Sequence, residues 1–328
     1  MDPSGNPCGP PDLVVIGNAT IDDLVFPDGS TRMYQVGGNA IYAAQGALLW
    51  GARVGLCVVT GPEYPGALLS AEHLDLRGVQ RIDGPSLRNW ALYEDDGTCQ
   101  YIFRGAHGPH AHDHYSPLPA AIPLAFRQAR YAHIAPVPFD RAAALLDALE
   151  VARCEGGVSV DPDSRHAADL PASALAALLN RMTFFLPSQR EAALLFPHHS
   201  PAELLLRIRA DYPGIHVAAI KLAAKGCLVH DRARDGLIHL PAAAAQVADT
   251  TGAGDAFCGG FLAGYARTGD GIEAAMHGIV AAAFTVETVG IPAPGSIRRE
   301  DAELRLTSYR DTLITQGRLA TDTIRASA

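Results

Sequence analysis

No apolar run in this chain approaches the roughly 18 residues that a helix needs to cross a bilayer. The N-terminal stretch MDPSGNPCGPPDLVVIG has neither a basic opening nor a long apolar core, so it does not read as a secretory leader. The six cysteines are scattered and form no CxxC pair, which argues against a zinc ribbon or a redox motif. Several of them read as reduced, buried thiols, and the expected compartment is the cytoplasm. Basic runs are also absent, and 26 Lys and Arg against 35 Asp and Glu leave a net charge of -9. Nucleic acid and membrane surfaces are therefore not expected partners. No repeat of fixed period is visible.

The remainder is globular in composition, with 48% hydrophobic residues, 32 Gly and 23 Pro in 328 residues. Short apolar runs such as DLVVIGN, RVGLCVVTG, YAHIAPV, GGVSVDPD, TFFLPS and GLIHLP predict strands. Between them NAIYAAQGALLWG, DRAAALLDALEVARC and SALAALLNRM predict helices. This alternation predicts an α/β fold, a doubly wound mainly parallel sheet with helices on both faces. Two segments break the alternation. IDDLVFPDGSTRMYQVGG and SLRNWALYEDDGTCQYIFRG read as hairpins, the second turning at Asp95-Asp96-Gly97. They predict a small β-stranded lid at 21–36 and 86–105, inserted into an α/β domain at 1–20, 37–85 and 106–328.

DTTGAGDAFCGGFLAGYARTGD, from Asp249 to Asp270, places glycines at the start of an apolar helix. Such a turn offers free amides and the positive end of the helix dipole to an anion. Gly252 and Gly254 let a ligand approach closely. Asp255 does not suit a plain phosphate site, because its charge would repel the ligand. It suits a site where a substrate hydroxyl stands between carboxylate and phosphoryl group. The simpler reading is a glycine turn whose aspartate caps the helix. The pattern is neither GxxxxGK[ST] nor GxGxxG.

DTTGAGDAFCGGFLAG resembles the C-terminal signature of the ribokinase-like (PfkB-type) carbohydrate kinases. VGGNAIYAAQGALLWGARVGLCVVTG resembles their N-terminal signature, and GNATIDDLV the segment carrying a substrate-binding aspartate. The resemblance covers essentially the whole chain. It implies ATP-dependent phosphoryl transfer, with Mg²⁺, to a hydroxyl of a sugar or sugar-like substrate. A nucleoside kinase of the same superfamily and a non-catalytic sugar-binding protein are the alternatives. By carry-over Asp255 is the base, and Gly252, Ala253 and Gly254 form the anion hole. Asp22, Gly37, Gly38 and Asn39 hold substrate hydroxyls. Asp249 and Thr251 bind a monovalent cation, K⁺, through backbone carbonyls. Glu191 organises Mg²⁺ through water, with Ser188 standing where the family carries Asn. Lys221, Ala223 and Gly226 lie in the nucleotide-binding strand and turn, with Ala223 at a usual Gly position. DPDSRH resembles the D-P-N-x-R of sugar-acid kinases, with Asp163 in place of Asn. A homodimer through the lid is the implied assembly.

Several of these residues also have plainer readings. Asp22 could serve a turn with Asp23, Glu191 could be an ordinary first-turn helix residue, and Lys221 a solvated strand residue. Arg88, Asn89 and Arg104 could meet a substrate carboxylate or phosphate, or could be edge-strand charges. Tyr42 stands where many sugar kinases carry Asn. His107, His110, His112 and His114 fit no common zinc spacing and read as a polar loop.

Overall fold

The structure, a computed structural model, describes residues 9–319 apart from 70, 96–98, 105–113, 151–155, 163–169 and 294. The expected turn at Asp96-Gly97, the histidines 107, 110 and 112, and Asp163 lie outside the described residues.

The larger sheet is built outward from β1 (Leu13–Ile16). It pairs in parallel with β4 (Val54–Thr60) on one side and β8 (Tyr131–Ile134) on the other. Beyond β4 lies β5 (Leu74–Arg81), and beyond β8 follow β9 (Gly157–Val160), β10 (Phe184–Phe185) and β11 (Val217–Lys221), all parallel. Two antiparallel strands, β12 (Cys227–Asp231) and β13 (Ile238–Leu240), close that edge. The helices are α1 (Asn39–Leu48), α2 (Phe139–Glu150), α3 (Ala172–Leu179), α4 (Gln189–Leu195), α5 (Pro201–Asp211), α6 (Ala253–Thr268), α7 (Gly271–Val286) and α8 (Arg299–Thr315).

All four residues of β1 are buried, as a strand covered on both faces requires. Leu13 and Val15 enter the core shared with α1, α6, α7 and α8. Val14 and Ile16 enter the core on the opposite face, with α2, α3, α4 and α5. On the first face α1 and α6 meet backbone to backbone. A Cβ on Gly46 would lie 2.1 Å from the Ala256 carbonyl oxygen, and one on Gly259 only 1.8 Å from that of Ala43. The small-residue composition of both helices is what allows this crossing, and the crossing sets the position of the α6 N-terminus.

The second sheet contains β2 (Thr20–Val25), β3 (Thr31–Gly37), β6 (Leu87–Tyr93) and β7 (Cys99–Arg104), in the order β3-β2-β6-β7. Each expected hairpin is an antiparallel pair, and β2 runs parallel to β6 to join them. Successive side chains face opposite ways along a strand. Asp22 and its neighbour Asn89 therefore occupy one face, and Asp23 and Arg88 the other. Among the described residues no helix is long and apolar enough to cross a membrane.

Candidate active site

The candidate residues gather at the C-terminal edge of the parallel strands, the usual ligand edge of such sheets. Gly17 and Asn18 follow β1, Pro136 follows β8, Asp161 follows β9, Ser188 follows β10, and Lys221 ends β11. The N-terminus of α6 opens onto the same edge. Gly252 takes the left-handed φ of 73°, and a Cβ there would stand 2.2 Å from Cγ of the buried Tyr42 ring. The first i→i−4 bond of α6 runs from Ala256 N to the Gly252 oxygen at 2.9 Å. The amides of Gly254 and Asp255 precede it and have no acceptor within the helix. A Cβ on Gly254 would meet nothing nearer than Lys221 Nζ at 3.5 Å, an ordinary contact.

Burial pushes Asp255 well above the usual carboxylate range, the charges of Asp161 and Glu191 add to this, and Lys221 opposes it. Burial likewise pushes Asp22 up to about 6, opposed by hydrogen bonds from Asn89 and Thr20 and reinforced by the charge of Asp249. Asn89 Nδ2 and Thr20 Oγ1 each donate to Asp22 at 2.8 Å. Gly37 is needed beside it, since a Cβ there would lie 2.2 Å from Asp22 Oδ2. The Tyr42 phenol marks where the groups converge. Burial pushes it up first, then the charges of Asp249 and Asp22, with Tyr93 and Asp255 adding to them. From the second sheet, Tyr93 OH donates to Asp249 Oδ1 at 3.0 Å and also bonds the Thr251 hydroxyl. Asp249 further accepts from Thr251 N at 2.9 Å and Gly290 N at 3.2 Å.

Several of the residues singled out by sequence have partners within the chain. Asn39 braces two loops: its Oδ1 accepts from Asn18 N at 2.8 Å and its Nδ2 donates to the Pro136 oxygen at 2.8 Å. Arg104 is not brought to Asp22. It bonds Asp23 on the opposite face of the sheet and lies 4.4 Å from the Trp90 ring centroid. Arg88 bonds the same Asp23 at 3.0 Å, so two guanidinium groups offset one fully buried carboxylate. Ser188 and Glu191 form a capping box on α4. Ser188 Oγ accepts from Glu191 N at 3.2 Å, and Ser188 N donates to Glu191 Oε2 at 2.7 Å. A serine at the family's Asn position is thus a good helix cap. Lys221 is not solvated; its Nζ pairs with Asp161 Oδ2 at 3.0 Å.

The β11–β12 turn carries Ala223 at a left-handed φ of 52°. Such a conformation costs an L-residue about 1–2 kcal/mol. Ala223→Gly is therefore expected to stabilise the protein by about 1 kcal/mol after the added unfolded-state entropy of glycine. A rise in the urea midpoint at constant m-value would show it, and no rise would refute the strain. Gly226 in the same turn has φ 88°, and its Cβ would lie 2.0 Å from the Leu240 oxygen. Sequence reasoning passed over Tyr93, because no local pattern announces a contact with residues more than 150 positions away. It also passed over Asp161, although DPDSRH had singled out that stretch for Asp163.

The geometry is that of a ribokinase-like fold, and comparison with known proteins agrees. Residues 11–295 match the pfkB family of carbohydrate kinases. The chain is 33% identical over 258 residues to a cytidine kinase of Thermococcus kodakarensis, covering 78% of this chain and 89% of that protein. It is 28% identical over 276 residues to an ATP-dependent ribose-1-phosphate kinase of Halopiger xanaduensis, covering 78% and 83%. An E. coli structure described as a ribokinase II in complex with ATP and Mg²⁺ superposes with a TM-score of 0.73. That pair is 18% identical, with 90% of this chain and 99% of the other covered, so the likeness is one of fold. The chain belongs to the pfkB carbohydrate kinase family and is a kinase.

Proposed function

We propose that this kinase transfers the γ-phosphoryl group of ATP to a hydroxyl of a neutral ribosyl compound, a nucleoside. The observation that carries this reading is the charge arrangement around the acceptor. Asp22, Asp249 and Asp255 converge on the Tyr42 phenol. Tyr93 adds a second phenol. Arg88 and Arg104 of the second sheet are paired with Asp23 on the far side, and Arg32, the third arginine of that sheet, is exposed on β3. Among the described residues the acceptor side thus offers carboxylates and phenols, which suit hydroxyls and a flat base better than a second phosphate.

ATP with Mg²⁺ supplies the phosphoryl group when bound. The cradle fits it: Gly252 leaves room only for the Tyr42 ring, while the amides ahead of Ala256 and the open side of Gly254 accommodate a close anion. Gly252, Ala253, Gly254 and the Ala223–Gly226 turn would hold the nucleotide, and Glu191 the waters of the metal. Asp22 orients the acceptor's hydroxyls beside Gly37 and Gly38. Asp255 takes the proton of the reacting hydroxyl, and the amides behind it hold the growing negative charge. Backbone carbonyls of Asp249 and Thr251 are the candidate K⁺ ligands. The second sheet acts as a lid, and its exposed Tyr34, Ile102 and Met33 form the contact between two copies.

A free pentose is the second reading, supported by a match of 35% identity over 113 residues, 33% of this chain and 35% of the other, to a deoxyribokinase of Salmonella typhi. ADP release with Mg-ATP over nucleosides, pentoses and ribose 1-phosphate decides. Cytidine or another nucleoside is expected to give the highest kcat/KM, and ribose 1-phosphate at least about tenfold less. Preference for ribose 1-phosphate would refute the charge argument.

A further inference from the structure

The chain contains two lysines, Lys221 and Lys225; every other cationic side chain among the 26 is arginine. Lys221 stands among closely spaced polar groups. Its ammonium lies 3.0 Å from Asp161 Oδ2, 3.4 Å from Cys258 Sγ and 3.5 Å from the Gly254 carbonyl oxygen. Asp161 itself is buried, and its other oxygen, Oδ1, has no hydrogen-bond partner. His133, Asp161 and Cys258 bring potential metal-ligand atoms within 4.8 Å of one another, and Lys221 supplies the positive charge for two of those three. Burial works to discharge Lys221, but Asp161, Cys258, Glu191 and Asp255 more than offset it and hold the ammonium charged.

The Gly254 carbonyl belongs to the same peptide unit as the Asp255 N–H. That N–H is one of the amides left without an acceptor in the first turn of α6. A cation behind the carbonyl draws electron density along the peptide and makes the N–H in front a stronger donor. At 3.5 Å the contact is a charge–dipole one and not a short hydrogen bond. A compact ammonium suits the space between a carboxylate, a sulfur and a carbonyl better than a planar guanidinium.

We propose that Lys221, anchored by Asp161, is a positioning residue that acts through the backbone, polarising the Gly254–Asp255 peptide toward the transferring phosphoryl group instead of binding the nucleotide. The proposal rests on the anion-hole reading above. It implies that Lys221 discriminates for the γ-phosphoryl group specifically, since only that group meets the Asp255 amide. A direct nucleotide ligand would serve ATP and ADP alike.

Lys221→Met removes the charge at nearly constant length. Calorimetric titration should show binding of a non-hydrolysable ATP analogue weakened about tenfold and ADP binding changed by less than about twofold. kcat should fall about tenfold or more, with KM for the acceptor unchanged. Asp161→Asn keeps the side-chain shape and should show the same pattern to a smaller degree, which keeps the test open if the lysine variant does not fold. Lys221→Arg should not restore the wild-type values. Equal weakening for analogue and ADP would make Lys221 a nucleotide ligand and overturn the proposal. So would unchanged analogue binding in both variants, or full rescue by arginine. A wild-type protein that binds neither nucleotide would instead count against the kinase reading itself.

Discussion

Asp255→Asn is expected to lower kcat by about 10²- to 10⁴-fold while leaving nucleotide and acceptor binding within a few-fold of wild type. The substitution keeps the shape of the side chain and the backbone of the glycine turn. The amides of Gly254 and Asp255 still precede the first bond of α6, so the anion cradle survives. What is lost is the group able to take the hydroxyl proton, since an amide cannot. Calorimetry for binding and single-turnover rates for chemistry separate the two effects. Turnover within about tenfold of wild type would place the base elsewhere. The same carboxyl should limit the enzyme at low pH. It must be ionised to act, and burial, Asp161 and Glu191 push it up against the pull of Lys221. The acid limb of kcat/KM should therefore lie above the range of an ordinary carboxylate, and a limb near pH 4 would contradict the assignment.

Asp22→Asn is expected to act in opposite directions on stability and on acceptor binding. In the folded protein Asp22 is pushed up to about 6 from 3.8. Between those values the folded state binds the extra proton, so stability falls as pH rises through the window. The favourable contribution is complete below about pH 4, and by pH 8 the ionised carboxylate costs about 3 kcal/mol relative to the unfolded chain. An asparagine carries no such cost, and the Thr20 hydroxyl can turn from donor to acceptor to meet its amide. The variant should gain about 2 kcal/mol at pH 8 and nothing at pH 4, read as a difference in thermal midpoints. Its KM for the acceptor should rise about 10- to 100-fold, because hydrogen bonds from hydroxyls to a charge are lost. A variant no more stable at pH 8 than wild type would show that the carboxylate is not ionised against its environment. This is the stability–function opposition expected of a buried charge kept for a ligand.

The glycine turn illustrates how much of the site was legible locally. A Gly-Ala-Gly stretch before an apolar helix predicts free amides, and the helix begins at Ala253 as that pattern requires. The antiparallel pairs β2–β3 and β6–β7 were legible for the same reason, because alternation and turn residues act within a few positions. Asn39 and Arg104 were not. Both are polar residues beside motif glycines or strand runs, and both were free to be ligands until their partners were known. Asn39 is held by Asn18 and by Pro136, 97 residues away, and Arg104 by Asp23, 81 residues away. Local pattern carries no information about such pairs. Ser188 shows the converse case. It departs from the family's Asn, and the capping box is a reason for serine that is itself local.

By itself the sequence determined the class of fold, the position of the glycine turn before α6 and the family, because periodicity, turn chemistry and motif order are properties of neighbouring residues. Only the tertiary structure decided which charged groups are free to meet a ligand. It turned Arg88 and Arg104 of the second sheet toward Asp23, placed Lys221 on Asp161, and brought the charges of Asp22, Asp249 and Asp255 to bear on one phenol. The physical reason is that a buried charge must find a partner, and the partner is chosen by packing across the sheets, not by spacing along the chain.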